Sequence, residues 1–277
     1  MSISLGCDPE FGFLETDTHN VVPAHDIISQ GWRGKFGTDG HSEIAEIRPT
    51  HSDDPRELVK NIEQAFKYGI KRYPDLKNLT WKAGSMIGNN PIGGHIHFGT
   101  YHSQSLTKML DCFLAVPALL LEKRSEAVAR RDHGYGNLGN IRNKSWGFEY
   151  RVLGSWLTSP KIATSILCLA KTIVEEWSIR AVNTREFQPN SVAFNKVSFD
   201  VLLPKMEATY NRIKQMRAYS AYVKEIDFIF KLIEHNKTWF PENGMKQAWG
   251  IEAALILKEL PQVHTNEVWS KKRVNIY

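Results

Sequence analysis

Alternating apolar and polar positions divide the chain into two halves of different character. Leu5–Leu14 reads as a strand, with Cys7, Phe11 and Phe13 on one face and Gly6, Asp8, Glu10 and Gly12 on the other. After the turn-prone Thr16-Asp17-Thr18-His19, Asn20–Pro23 makes a short second strand. Glu43–Ile47 is strand-like and stops at Pro49, and Leu79–Ala83 follows later. The segments Gly93-Gly94-His95-Ile96-His97-Phe98-Gly99 and Phe148-Glu149-Tyr150-Arg151 alternate in the same way. Between these strands, Gly31–Gly40 and Arg131–Gly147 are glycine-rich and polar, and are expected to be loops.

Four-residue spacing marks the helices. Asp53-Asp54-Pro55 starts one that carries Leu58, Ile62, Phe66 and Ile70 to about Arg72, before Pro74. Ser105 is placed to cap another that runs to about Arg130, interrupted at Pro117. Beyond Pro160 the pattern is helical almost throughout: Lys161–Val182, Phe199–Ala218, Tyr219–Asn236 and Gly244–Leu260. The predicted class is α+β, strand-rich over 1–158 and helical over 159–277. No proline- or serine-rich linker divides the halves, so 1–277 is expected to form one unit.

Composition narrows the field only a little. At 277 residues and 42% hydrophobic content, the chain can bury a sizeable core. No apolar run reaches membrane-spanning length (Cys112–Leu121 is too short), and no signal-peptide pattern opens the chain, so a cytoplasmic protein is expected. The scattered Cys7, Cys112 and Cys168 sit in apolar contexts and suggest buried, reduced thiols. A net charge of +5 is spread along the chain rather than clustered. That disfavours nucleic acid and suits an enzyme that handles phosphate or carboxylate groups.

The chemistry lies in three two-residue spacings. Asp8 with Glu10, His95 with His97, and Glu149 with Arg151 each share one strand face. Gly6, Gly12, Gly93, Gly99 and Gly147 flank these faces and are expected to leave room for a ligand against the backbone. Two desolvated carboxylates about 7 Å apart on a strand repel unless a cation lies between them. Neutral imidazole is a common partner in such a site. The metal-dependent amidohydrolases also carry a His-x-His pair, but their alternating strand–helix fold does not suit the helical second half. Arg142, and less directly Arg130 and Arg131, are placed to meet an anion. Asp39-Gly40-His41-Ser42-Glu43-Ile44-Ala45-Glu46-Ile47-Arg48-Pro49 adds acids; alternation lets only one of Glu43 and Glu46 face the site, and pattern does not choose between them.

Four ordered motifs together carry a resemblance. Gly-x-Asp-Pro-Glu-Phe (6–11), Asp-Gly-x5-Glu-Ile-Arg-Pro (39–49), Gly-Gly-His-Ile-His-Phe-Gly (93–99) and the arginine- and glycine-bearing stretch 135–156, with Gly-Phe-Glu-Tyr-Arg at its centre, resemble the phage-type carboxylate–amine ligases. Those belong to the glutamine synthetase and glutamate–cysteine ligase superfamily. The resemblance implies a glutamine synthetase-like catalytic domain, with an antiparallel sheet that carries a metal site and helices on its back. It implies ATP and Mg2+ (or Mn2+) as cofactors. It also implies amide-bond formation through an acyl phosphate, between a small-molecule or peptide carboxylate and an amine. Residue by residue, it assigns Asp8, His95 and Glu149 to a phosphate-side metal, and Glu10, Asp39 and Glu46 to a second. His97, Arg142 and Arg151 fall beside the nucleotide phosphates, and the two arginines act on the developing charge. A phage origin would put the protein in the host cytoplasm, and its oligomeric state is left open. A metal-dependent hydrolase or nuclease, or a non-catalytic protein on a retained ligase fold, are the competing readings.

Overall fold

The central strand is β1 (Leu5–Glu15), and the computed structural model describes residues 2–29, 31 and 33–251 around it. At eleven residues β1 is long enough to pair with four other strands, all antiparallel. Its C-terminal half takes β2 (Val21–Val22) on one side and β5 (Leu79–Lys82) on the other. Its N-terminal half lies between β4 (Ala45–Ile47) and β8 (Gly94–Phe98). Outside these, β3 (Phe36–Thr38) covers β4, and a hairpin of β9 (Ile141–Lys144) and β10 (Gly147–Tyr150) extends the sheet beyond β8. Two short strands, β6 (Met86–Ile87) and β7 (Asn90–Pro91), form a separate ribbon.

The odd-numbered face of β1 is the back of the sheet. Phe11 and Phe13 pack there with Phe36, Phe66 and Trp81, the Phe11 and Trp81 rings stacked at 5.4 Å. Helix α1 (Pro55–Arg72) lays Leu58, Ile62, Phe66 and Ile70 against this layer. Asp54 caps it by accepting from the Arg56 N–H at 2.8 Å, and Pro55 occupies the first turn, where its missing N–H costs nothing. Helix α2 (Gln104–Leu110) passes through a π-helical turn (Asp111–Ala115) into α3 (Val116–Leu121), and α4 (Arg124–Asp132) follows after a break. Gln104–Leu121 is long and apolar enough to cross a bilayer, but 83% of it is buried within the protein. The long α5 (Pro160–Ile179) packs against α1, α2 and α9 (Val223–Glu234). Between and after them lie α6 (Ser191–Asn195), α7 (Phe199–Leu202), α8 (Met206–Lys214) and α10 (Gly244–Ala248). Cys7, Cys112 and Cys168 are all buried and free.

Several elements differ from the sequence expectation. The cap of α2 is Ser103, not Ser105; its hydroxyl accepts from the Leu106 N–H at 3.1 Å. The interruption expected at Pro117 comes earlier, as the π-helical turn, which widens the ladder where proline has no N–H to give. The helix then ends at Glu122 rather than running unbroken to Arg130. Gly31–Gly40 is not all loop, because Phe36 is buried and pulls β3 into the sheet. In 199–218 the expected single helix breaks into α7, a 3-10 turn at Leu203–Lys205, and α8. The expected helix Gly244–Leu260 is described only as far as Ile251; the rest of it lies outside the described residues.

Candidate functional site

Register turns the alternating faces into a floor. Glu10 stands opposite Glu46, Asp8 opposite His95, and Gly6 opposite His97. Glu149 then pairs with His97 on one side and with Arg142 on the other. Asp8, Glu10, Glu46, His95, His97, Glu149 and Arg142 therefore all rise from the same face of one sheet. Asp39 follows β3 two residues after Gly37, which is paired with Glu46, so it ends on this face as well. Arg151 continues β10, with its Nε 4.0 Å from Glu149 Oε2. Glu43 turns away and accepts from Asn90 Nδ2 at 2.8 Å, which leaves Glu46 as the acid of that strand at the site.

Ligand-type atoms of Asp8, His97 and Glu149 all lie within 4.8 Å of one another. His97 Nε2 is 3.1 Å from Asp8 Oδ1 and 4.0 Å from Glu149 Oε1. His95 instead holds Asp8 Oδ1 through Nδ1 at 3.2 Å and turns Nε2 toward Glu10 Oε1 at 3.9 Å. The structure thus groups His97, rather than His95, with Asp8 and Glu149. The reason is register: Glu149 is directly across from His97, while His95 lies one step along the strand, between Asp8 and Glu10.

Burial and like charge set the electrostatics. Burial alone would raise the Asp8 pKa, but the His95 and His97 rings beside it hold the carboxyl well below its ordinary range. Burial would lower His95, yet Asp8 and Glu10 keep it above the usual imidazole value. Glu10 accepts from the Gly93 N–H at 2.6 Å and is still raised, chiefly by burial. Glu46 is raised furthest, to about 10, by burial together with Asp8, Asp39 and Glu10, against the opposing pull of Arg48. Arg48 makes a close ion pair with Glu46 and donates to the Thr38 carbonyl at 2.9 Å.

The glycines give only part of the room expected of them. Gly6 faces the cleft, where a side chain would meet His97 and His51 at ordinary contact distance. At Gly12 a Cβ would fall 2.7 Å from Ile87, so that glycine makes room for packing. Gly93, Gly99 and Gly147 are likewise pressed against His95, Ser4 and Phe98. The loop arginines are also corrected. Arg130 and Arg131 lie in the last turn of α4 and are buried, not poised over the cleft. Arg130 donates to the Val152 carbonyl at 2.9 Å; Arg131 sits over the Phe194 ring and 3.6 Å from Glu122.

The cleft above the floor has a volume of about 610 Å³, with Asp8, Arg48, His97, Lys144, Trp146 and Glu149 in its walls. Residues 5–251 match the family described as phage phiEco32-like COOH.NH2 ligase, type 2. The chain belongs to this family. No curated protein matches the chain at the sequence level. Among solved structures, the ligase PafA, in complex with the prokaryotic ubiquitin-like protein Pup, superposes with a TM-score of 0.57 at 13% identity, over 93% of this chain and 68% of that one. GmaS, solved without ligand, gives 0.51 at 12%, over 95% and 71%. A bifunctional glutathione synthetase from Pasteurella multocida gives 0.47 at 12%, and this chain spans about half of it (52%). At these identities the likeness is one of fold, the antiparallel sheet and helices of the glutamine synthetase-like ligases.

Sequence reasoning passed over three residues of this cleft. Lys144 puts Nζ 2.6 Å from Glu149 Oε1. Trp146, in the turn of the β9–β10 hairpin, lies over His97 with ring centroids 5.2 Å apart. Arg48 is the third. A signal for the first two was available: Arg142, Lys144 and Trp146 recur at the two-residue spacing that marked the acids.

Proposed function

We propose that this COOH–NH2 ligase forms an amide bond between a carboxylate and an amine, with ATP and Mg2+ (or Mn2+), through an acyl phosphate. The observation that carries this reading is the sheet face itself. One ligand cluster, Asp8, His97 and Glu149, adjoins a second set of acids, Glu10, Glu46 and Asp39, with Arg142, Lys144 and Arg151 gathered over the first.

The donor set fits divalent ions. His97 Nε2 and Glu149 Oε2 are buried and make no well-aligned hydrogen bond, their nearest polar neighbours being Asp8 Oδ1 at 3.1 Å and Arg142 at 3.4 Å. Glu46 is raised by burial and by the acids around it, which a cation would relieve. Asp8, His97 and Glu149 are gathered closely enough to hold one ion; Glu10, Glu46 and Asp39 share the same face without being gathered to that extent, and would have to close in to hold another. When bound, such ions draw charge from phosphate oxygens and so favour phosphoryl transfer to a carboxylate. The chain's own work is to orient and to neutralise. His95 holds Asp8 Oδ1 through Nδ1 at 3.2 Å. Arg142 and Arg151 stand 3.4 and 4.0 Å from Glu149 Oε2, where they can meet negative charge that gathers on phosphate. The substrates are taken to be small molecules or peptides, of a size to enter a cleft of about 610 Å³.

Calorimetry of ATP binding, with and without Mg2+, tests the reading on the wild type and on Glu10→Ala and Glu149→Ala. Binding that requires magnesium and weakens in both variants supports it. Absence of ATP binding with any divalent ion overturns it.

A further inference from the structure

Lys144 is placed where a merely solvated edge-strand lysine would not be. Its Nζ lies 2.6 Å from Glu149 Oε1, the same oxygen that faces His97 Nε2 at 4.0 Å. Glu149 is fixed, its side chain only 2% exposed on β10 between β8 and β9, whereas the Lys144 side chain is 34% exposed on β9, the last strand of the sheet. One partner is therefore rigid and the other can swing on a four-carbon stem.

Charge around this carboxylate is unbalanced. Arg142, Lys144 and Arg151 surround Glu149, while the neighbouring acid within the ligand cluster is Asp8 alone. A free divalent ion that approaches Glu149 meets this positive excess at short range. An anion that binds the same cations removes it. The second set of acids, Glu10, Glu46 and Asp39, has a single arginine, Arg48, paired with Glu46. The two halves of the floor should thus differ in how they take up metal.

We propose that Lys144 is a counter-cation that competes with a divalent ion for Glu149 Oε1 and releases it when a phosphate-bearing ligand takes up the ammonium, so that metal and anion enter this half of the site together. The inference rests on the proposed metal- and nucleotide-dependent function and names a residue that couples the two. Lys144 is a positioning residue in this account: it holds Glu149 in place, then moves to the ligand.

The test is Mn2+ binding, read by the electron paramagnetic resonance of the free ion, with and without ATP. It compares the wild type with Lys144→Met, Lys144→Arg and the double variant Lys144→Met/Glu149→Gln. Far-UV circular dichroism confirms that each is folded, which the exposed position of Lys144 favours. Lys144→Met is expected to bind Mn2+ alone about tenfold more tightly than the wild type, and to gain less from added ATP. The gain should vanish in the double variant, and Lys144→Arg should bind as weakly as the wild type. Equal or weaker Mn2+ binding by Lys144→Met, with wild-type binding intact, overturns the role of Lys144 and leaves the ligase reading standing. No Mn2+ binding by any variant, with or without ATP, overturns both.

Discussion

Glu46→Gln should make the protein more stable at alkaline pH. Glu46 is buried on β4 opposite Glu10, with Asp8 and Asp39 adding negative charge, and its pKa is raised from 4.5 to about 10. The folded protein thus binds a proton that the unfolded chain gives up above about pH 4.5. Below that pH the residue is neutral in both states and costs nothing. As pH rises toward the folded value, stability falls by about 1.4 kcal/mol per unit for this group. At pH 8 the full difference would be on the order of 5 kcal/mol. At that pH the folded wild type must hold Glu46 protonated beside Arg48, whereas glutamine is neutral in both states and still offers Arg48 an acceptor, so a net gain of about 2 kcal/mol is expected at pH 8 and close to none at pH 5. Urea denaturation of both proteins at the two pH values, in a chelator, measures it. A glutamine variant that is less stable at pH 8, or that differs from wild type equally at both, would refute the reasoning. If Glu46 serves the proposed metal site, added Mn2+ should reverse the order, because only the wild type keeps that carboxylate.

Three further outcomes follow from the packing around the site. Gly12→Ala should cost about 1–3 kcal/mol, because its Cβ meets Ile87 side-chain atoms at 2.7–3.0 Å, and Ile87→Ala in the same chain should recover part of that in a denaturation midpoint. Glu176, buried on α5, accepts from the Arg217 N–H at 3.0 Å and from Arg180 and Arg212; burial opposes these donors, but they hold its pKa below the ordinary value. Its contribution is therefore present above about pH 4.5 and lost as pH falls, so Glu176→Gln should cost about 2 kcal/mol at pH 7, with the gap to wild type closing in acid. Tyr150→Phe removes the 2.6 Å donor to Asp111, whose carboxylate also accepts from the Gly139 N–H; faster hydrogen exchange at Gly139 than in wild type is expected, and unchanged protection there would count against this anchor.

What could be read from the sequence, and what could not, follows from the range of the interactions involved. Alternation is local, so the charged faces of β1, β8 and β10 were legible, and so was the α+β class with a helical second half. Capping is local too, and Asp54 marked the start of α1. Register is not local. Only the alignment of Phe148 with Phe98 decides that His97, and not His95, lies across from Glu149, and neither strand's own pattern contains it. Short elements fail for the same reason. Phe36-Gly37-Thr38 is too brief to alternate visibly among glycines, and it becomes a strand because β4 is there to pair with it. Arg130 and Arg131 read as cations free to meet an anion because charge in sequence says nothing of depth; Phe194 and the Val152 carbonyl, far along the chain, supply their partners. Lys144 illustrates the remaining gap. Its spacing from Arg142 was visible, but its meaning depends on Glu149 arriving opposite that pair across a two-residue turn. The acids and imidazoles declare themselves because they conflict with burial, whereas a cation on an edge strand conflicts with nothing until the sheet is assembled.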